Sequence, residues 1–211
     1  MPFDLLLVRV GLFIPVVLAL TVHEWAHAFV AFQLGDDTAS QQGRLTLNPL
    51  PHLDPVGTIL LPLLGIPFGW AKPVPVDPSR FRPDVTMGNG LLLTAAAGPV
   101  ANLILAMSSA ALLRMADVFF ATGLHPAFDS FLSRFTAINL ALALFNLLPV
   151  PPLDGSRIVD GLIPFGWRGA WNRFSGAGAL ILLALFVAPQ LFGVGLGDWM
   201  AGLSANLTGR R

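Results

Sequence analysis

Residues 88–113 carry no charged side chain. A helix needs about 20 apolar residues to cross a bilayer, so this stretch is long enough to span one. Few other environments suit it, because a soluble helix of that length needs a polar face. Three further stretches read as spans. Residues 5–34 hold Arg9 toward one end and His23, Glu24 and His27 toward the other. Residues 135–150 are short and run into Pro149, Pro151 and Pro152. Residues 174–196 are uncharged, with Pro189 as a kink point. The whole chain agrees with this pattern: of 211 residues, 55% are hydrophobic and only 11% charged. Ordinary globular proteins carry about 25% charged residues. A bilayer removes the need for them.

Residues 56–70 are also apolar but contain Gly57, Pro62, Gly65, Pro67 and Gly69. So many breakers argue for a re-entrant segment packed against protein. Its flanks, residues 43–47 and 70–76, read as short strands; Arg44-Leu45-Thr46-Leu47 alternates in polarity. The expected fold is therefore all-α and polytopic. It has about four transmembrane helices plus a re-entrant region over residues 43–76 with short β-strands, in one domain covering 1–211. The first apolar stretch follows Asp4 and lacks the basic start of a signal peptide, so it reads as a retained span. Zero net charge gives no sign of nucleic-acid binding. The absence of cysteine excludes disulfides and thiolate metal sites. The loops after spans one and three hold Arg44, Lys72, Arg80, Arg82, Arg157, Arg168 and Arg173, and the other side holds fewer cations. The positive-inside rule puts the first set on the cytoplasmic face of a multi-pass cell-membrane protein.

His23-Glu24-Trp25-Ala26-His27 is an H-E-x-x-H motif. Residues four apart share a helix face, so both imidazoles can reach one metal ion. Zinc accepts imidazole nitrogen, and a catalytic site leaves one position open. Glu24, adjacent to His23, is placed as general base toward the attacking water. It is also the only glutamate in the chain. Ionisable groups inside an apolar span are costly and point to function. The bland alternative, a helix-end cluster satisfied by backbone, carries that cost without return.

A third ligand is needed. A second, downstream glutamate does not exist, and Val30 and Gln33 exclude the extended three-histidine form of the motif. His52, His125 and the aspartates remain. After two further crossings the chain returns to the level of His23 and His27 at Asn146-Leu147-Leu148-Pro149-Val150-Pro151-Pro152-Leu153-Asp154-Gly155. The prolines stop the helix, and Gly155 permits a tight turn. Asp154 is thereby the expected ligand, with His52 its rival on the same side; His125 falls on the opposite side. The alternative role for Asp154 is an N-cap to a helix starting near Ser156. Asn102, inside an uncharged span, either bonds across helices or donates to the oxyanion of a tetrahedral intermediate.

With these residues in view, the chain resembles the site-2 protease family of intramembrane zinc metalloproteases, in its compact form without PDZ or CBS domain. The resemblance rests on His23 to His27, on Gly98-Pro99-Val100-Ala101-Asn102 and on Asn146 through Gly155. It extends to Asn48-Pro49-Leu50-Pro51-His52-Leu53-Asp54-Pro55 and Gly69-Trp70-Ala71-Lys72-Pro73-Val74-Pro75-Val76. It implies one zinc ion held by His23, His27 and Asp154, with Glu24 as catalytic base. It also implies transmembrane substrates, such as an anti-sigma factor or a signal-peptide remnant. Val150 stands where the family often has Asn, and Asn146 is the alternative for that residue's role. The competing function is a membrane zinc-binding or transport protein without proteolysis. Spans two and four lack the polar stations such a pathway needs.

Overall fold

The computed structural model describes residues 3–60, 70–119, 125–192, 202 and 205–208. Described residues form helices and irregular segments, with no strand among them. The chain starts with α1, Phe3–Gln33, followed by the short α2, Thr38–Gln41. Next come α3, Met87–Phe119, and α4, Pro126–Asn146. Three shorter helices follow: α5, Asp154–Leu162; α6, Arg168–Gly176; and α7, Gly178–Phe192. Among the described residues, three helices are long and apolar enough to cross a membrane: Phe13–Gln33, Met87–Phe119 and Pro126–Asn146.

α1, α3 and α4 pack on one another, and α5 packs on α3. Small residues make the close contacts. Ala19, Ala28, Ala31, Ala106, Ala110 and Ala143 are buried, while Ile104, Met107, Val118 and Phe119 face outward. This is the inverse of a soluble bundle. Lipid tails are as apolar as leucine, so association comes from close backbone approach and interhelical hydrogen bonds. Such bonds run through the centre. Ser109 and Thr136 hydroxyls lie 2.8 Å apart between α3 and α4. Asn102 and Asn139 are fully buried in the same seam.

Several expectations shift. The third span was expected over 135–150 but starts at Pro126. Hydropathy stops at Arg134, whereas the helix uses Asp129 in its first turn and His125 as N-cap, both suited to a helix N-terminus. The fourth expected span, 174–196, is broken at Ala177 between α6 and α7. α7 has 15 described residues, about 22 Å of helix. Its last residue, Phe192, is also the last described one before residue 202, so the full length of this span is not among the described residues. Residues 193–196 lie outside the described residues.

The expected strands at 43–47 and 70–76 are irregular. Pro73 and Pro75 supply no N–H to a ladder. The remaining groups are taken by other partners. Lys72 N–H donates to His52 O (2.9 Å), and Arg44 Nη2 donates to Lys72 O. Val74 N–H donates to the Glu24 carboxylate. Thr58 Oγ1 donates to Trp70 O (2.7 Å), so the chain enters and leaves residues 61–69 at one place. Those residues, and the expected re-entrant path through them, lie outside the described part.

The turn after α1 aims this loop at the site. Gly35 has φ 110°, open to glycine but strained for other residues. Beyond it, the fully buried Asp36 accepts from Thr38 N–H (3.0 Å) and Asp77 N–H (2.7 Å). Asp36 thus ties the end of α1 to the far end of the 70–76 segment. Outside, Arg80 pairs with Asp37 at 2.6 Å, and this bond holds the exposed Asp37 carboxyl below its usual range.

Candidate active site

His23, Glu24 and His27 lie on α1, facing inward and buried. The His23 and His27 rings meet edge to face, with centroids 4.6 Å apart. Asp154 opens α5, and its carboxylate comes to the same point. Its Oδ2 lies 3.1 Å from His23 Nε2 and 3.3 Å from His27 Nε2. The two Nε2 atoms are 3.0 Å apart. Asp154 does not cap its helix: Leu153 is the N-cap residue and makes no side-chain cap bond.

The outer nitrogens decide what the inner ones can do. His23 Nδ1 is 2.6 Å from Asn102 Oδ1, and His27 Nδ1 is 2.7 Å from Thr94 O. A carbonyl oxygen only accepts, so both Nδ1 atoms carry the proton. The Asn102 amide is oriented by its other bonds, since its Nδ2 donates to Ala19 O (3.2 Å) and to Asn139 Oδ1 (2.8 Å). Asn139 is oriented in turn, because its Nδ2 donates to Phe135 O (2.9 Å). Two main-chain carbonyls therefore set the His23 tautomer through two amides.

With both Nδ1 atoms protonated, each neutral ring presents its Nε2 lone pair inward. Asp154 Oδ2 is buried there and has no hydrogen bond of its own. Three acceptors thus converge, and only a cation can sit among them, either a shared proton or a metal. The edges of the triangle, 3.0 to 3.3 Å, match the edge of a tetrahedral zinc sphere. With bonds of about 2.0–2.1 Å that edge is about 3.3 Å. Two imidazoles and a carboxylate with a fourth corner open form a donor set that zinc accepts. His23, His27 and Asp154 could hold one such ion.

Glu24 stands beside this group. Its Oε2 accepts from Val74 N–H at 3.0 Å, which leaves Oε1 available to a ligand. Gly98 of α3 lies across the rings. A Cβ there would fall 2.5 Å from His27 Nε2 and 2.7 Å from His23 Nε2. Gly155 is required for a different reason than a turn: a Cβ would meet Leu147 O at 2.3 Å and Leu148 O at 2.4 Å. It lets α5 press on the end of α4 and so delivers Asp154.

The remaining candidates sit elsewhere. His52 is buried, with Nε2 donating to Thr46 O (2.9 Å), and holds its loop together. His125 caps α4 by accepting from Ala127 N–H. Asn146 Nδ2 donates to Leu142 O within its own helix. Thr94 O, Val74 N–H and the Asn139 link were not anticipated. The first two are main-chain groups and leave no trace in residue identity. The third had a signal, a second carboxamide in an apolar span.

Two imidazoles and a glutamate on a membrane-spanning helix, met by a buried carboxylate from α5, define a membrane metallopeptidase. Similarity to known proteins agrees. The profile of Peptidase family M50 matches residues 111–188. "Putative zinc metalloprotease YwhC" of Bacillus subtilis (strain 168) is 46% identical over 185 residues, covering 84% of this chain and 80% of that protein. "Putative zinc metalloprotease Rip2" of Mycolicibacterium smegmatis is 31% identical, covering 86% of this chain and 70% of that protein. The Mycobacterium tuberculosis (strain H37Rv) protein of the same name is 30% identical, covering 92% and 75%. No solved structure matches the chain significantly. The chain belongs to peptidase family M50, the site-2 protease family of membrane zinc metalloproteases.

Proposed function

We propose that the protein is an intramembrane endopeptidase in which His23, His27 and Asp154 hold a single zinc ion and Glu24 is the catalytic base. The observation that carries this reading is the convergence of three lone-pair donors, each about 3 Å from the others. Zinc, when bound, supplies Lewis acidity that polarises the scissile carbonyl and acidifies the attacking water.

The chain's own residues supply the rest. Val74 N–H fixes one oxygen of Glu24, and the other takes the proton of the attacking water and passes it to the leaving amine. Asn102 acts as a positioning residue for His23. Both of its amide hydrogens donate within the protein, to Ala19 O and Asn139 Oδ1, so neither is left for an oxyanion. A substrate helix satisfies its own backbone and must unwind locally to present a peptide bond. The substrates are membrane proteins cleaved within or near a transmembrane segment, with an anti-sigma factor or signal-peptide remnant fitting the family. The cations of residues 70–82 and 157–173 support a site toward the cytoplasmic side of the cell membrane.

The test is proteolysis by the purified full chain in detergent micelles, with a single-span peptide as probe and mass spectrometry as readout. Cleavage should stop with a zinc chelator and return with one equivalent of zinc. Full activity in a metal-free preparation, or zinc binding undiminished in an Asp154→Ala variant, would overturn the reading.

The amide relay makes a separate prediction. Asn102→Leu should weaken zinc binding by about 10–100-fold, the usual cost of losing a partner behind a metal-bound histidine. Asn102→Asp, which still accepts from His23 Nδ1, should recover part of that loss. Zinc competition titrations measure both, and equal affinity in all three proteins would remove the relay from the account.

A further inference from the structure

Against the segment that holds Glu24 and the helix that carries Asp154 lies a cavity of about 520 Å³ lined by cations. Arg44, Lys72 and Arg157 face it, together with Pro73, Val74 and Leu91. Among the described residues, no acidic side chain lines it. Among the described residues, no carboxylate comes within ion-pair distance of these three cations.

Arg44 is the unusual member. It is only 5% exposed. Its Nη2 donates to Lys72 O, but its Nε is buried without any hydrogen bond. A guanidinium offers five N–H donors in a fixed fork that matches a carboxylate or phosphate. A buried charge is ordinarily paired, because desolvating it alone is costly. Here a buried fork lines an open cavity, with two more exposed cations on the same wall. The Glu24 carboxylate acts on Arg44 only at longer range, and an anionic group in the cavity would be its direct partner.

The position of the cavity selects among anions. One wall is the 72–76 segment, whose Val74 N–H holds Glu24. Another is the first turn of α5, where Arg157 follows Asp154 by three residues. Both segments carry parts of the reaction centre, so the cavity borders that centre by way of Val74 and the first turn of α5. The apolar lining of Pro73, Val74, Pro75 and Leu91 suits the stem of a side chain.

We propose that this cavity is a subsite for a carboxylate on the substrate polypeptide, gripped by Arg44 with Lys72 and Arg157 and read close to the scissile bond. The proposal rests on the endopeptidase reading and adds a preference for acidic substrates. The carboxylate belongs to an aspartate or glutamate side chain or to a free chain terminus.

The experiment uses the full chain in micelles, in the Glu24→Gln background so that binding is measured without turnover. The probes are single-span peptides with a juxtamembrane glutamate scanned through successive positions, each paired with its glutamine counterpart, as free acid or C-terminal amide. At one position or one terminus the charged peptide should bind about tenfold or more tightly than its neutral twin, the scale of a charge-assisted hydrogen bond. Arg44→Gln should reduce that ratio to about one, and Arg44→Lys should restore part of it. Lys72→Gln and Arg157→Gln, both at exposed positions, should each lower it. The amide series separates a side-chain carboxylate from a terminal one.

Charged and neutral peptides bound equally at every position would overturn the proposal. So would a ratio unchanged in all four variants. Loss of the ratio when the micelles carry phosphatidylglycerol instead of a zwitterionic lipid would assign the cavity to a phosphate headgroup and also overturn it. Zinc content of each variant is measured alongside. Zinc absent throughout would defeat the endopeptidase reading, whereas zinc present with no charge preference defeats only the subsite.

Discussion

Replacing Glu24 by glutamine should abolish peptide hydrolysis while leaving zinc bound. Glutamine keeps the length of the side chain and an oxygen that can accept from Val74 N–H, the contact that now fixes Glu24 at 3.0 Å. What it loses is a group able to take a proton. The loss of a positioned general base costs about 10²–10⁴-fold in rate. No other glutamate exists in the chain to replace it. Zinc should remain, since the three converging donors are on His23, His27 and Asp154. Single-turnover cleavage of a membrane peptide, read beside elemental zinc analysis, separates the two effects. Turnover within about tenfold of the unaltered protein would exclude Glu24 as the base.

The second large effect is expected at Gly98, a residue with no functional group. A methyl there would stand 2.5 to 2.7 Å from both Nε2 atoms and from His23 Cε1. The rings cannot swing away cheaply, because Nδ1 of each is bonded to a buried acceptor on α3. α3 cannot retreat cheaply either, since Asn102 bonds both to α1 through Ala19 O and to α4 through Asn139. Overpacking of this kind costs about 1–3 kcal/mol in an ordinary core. Here the strain falls on the metal-facing atoms. Gly98→Ala should therefore lose zinc affinity by about tenfold or more and lose activity with it. Val100→Ala, two residues on at an exposed position, is the control. Zinc affinity unchanged in Gly98→Ala would mean that α3 does not press on the rings as described.

Both predictions draw on residues that a reader of the sequence can find, yet for unequal reasons. The pairing of His23 with His27 is local. Four residues on a helix return to one face whatever the rest of the chain does, so the motif fixes its own geometry. The lone Glu24 among aspartates added weight without any tertiary information. Asp154 needed one more step, the counting of crossings through the bilayer, because a membrane restricts a helix end to one of two levels. That restriction is why a carboxylate 127 positions beyond His27 could be expected beside it at all.

Other assignments followed sequence signals that tertiary contacts overrode. Alternation at Arg44 to Leu47 suggested a strand, but the facing segment has Pro73 and Pro75 where a ladder needs donors. The apolar run suggested a span starting at residue 135, but α4 begins at Pro126 and uses the charge of Asp129 at its N-terminus. Gly155 suggested a turn, but its value lies in two carbonyls 2.3 and 2.4 Å from where a Cβ would be.

By itself the sequence determined that three apolar helices are long enough to cross a membrane, and it determined the two imidazoles on one helix face, the single glutamate and the absence of thiolate chemistry. These depend on composition and on spacing within one element. Only the tertiary structure decided which nitrogen of each histidine faces the metal position, since that is set by Thr94 O and by the Asn139–Asn102 relay from other helices. It likewise decided that Glu24 is held by Val74 and that Gly98 closes over the rings. Main-chain carbonyls and N–H groups are the same in every residue, so no sequence names the ones that orient a site. Packing chooses them.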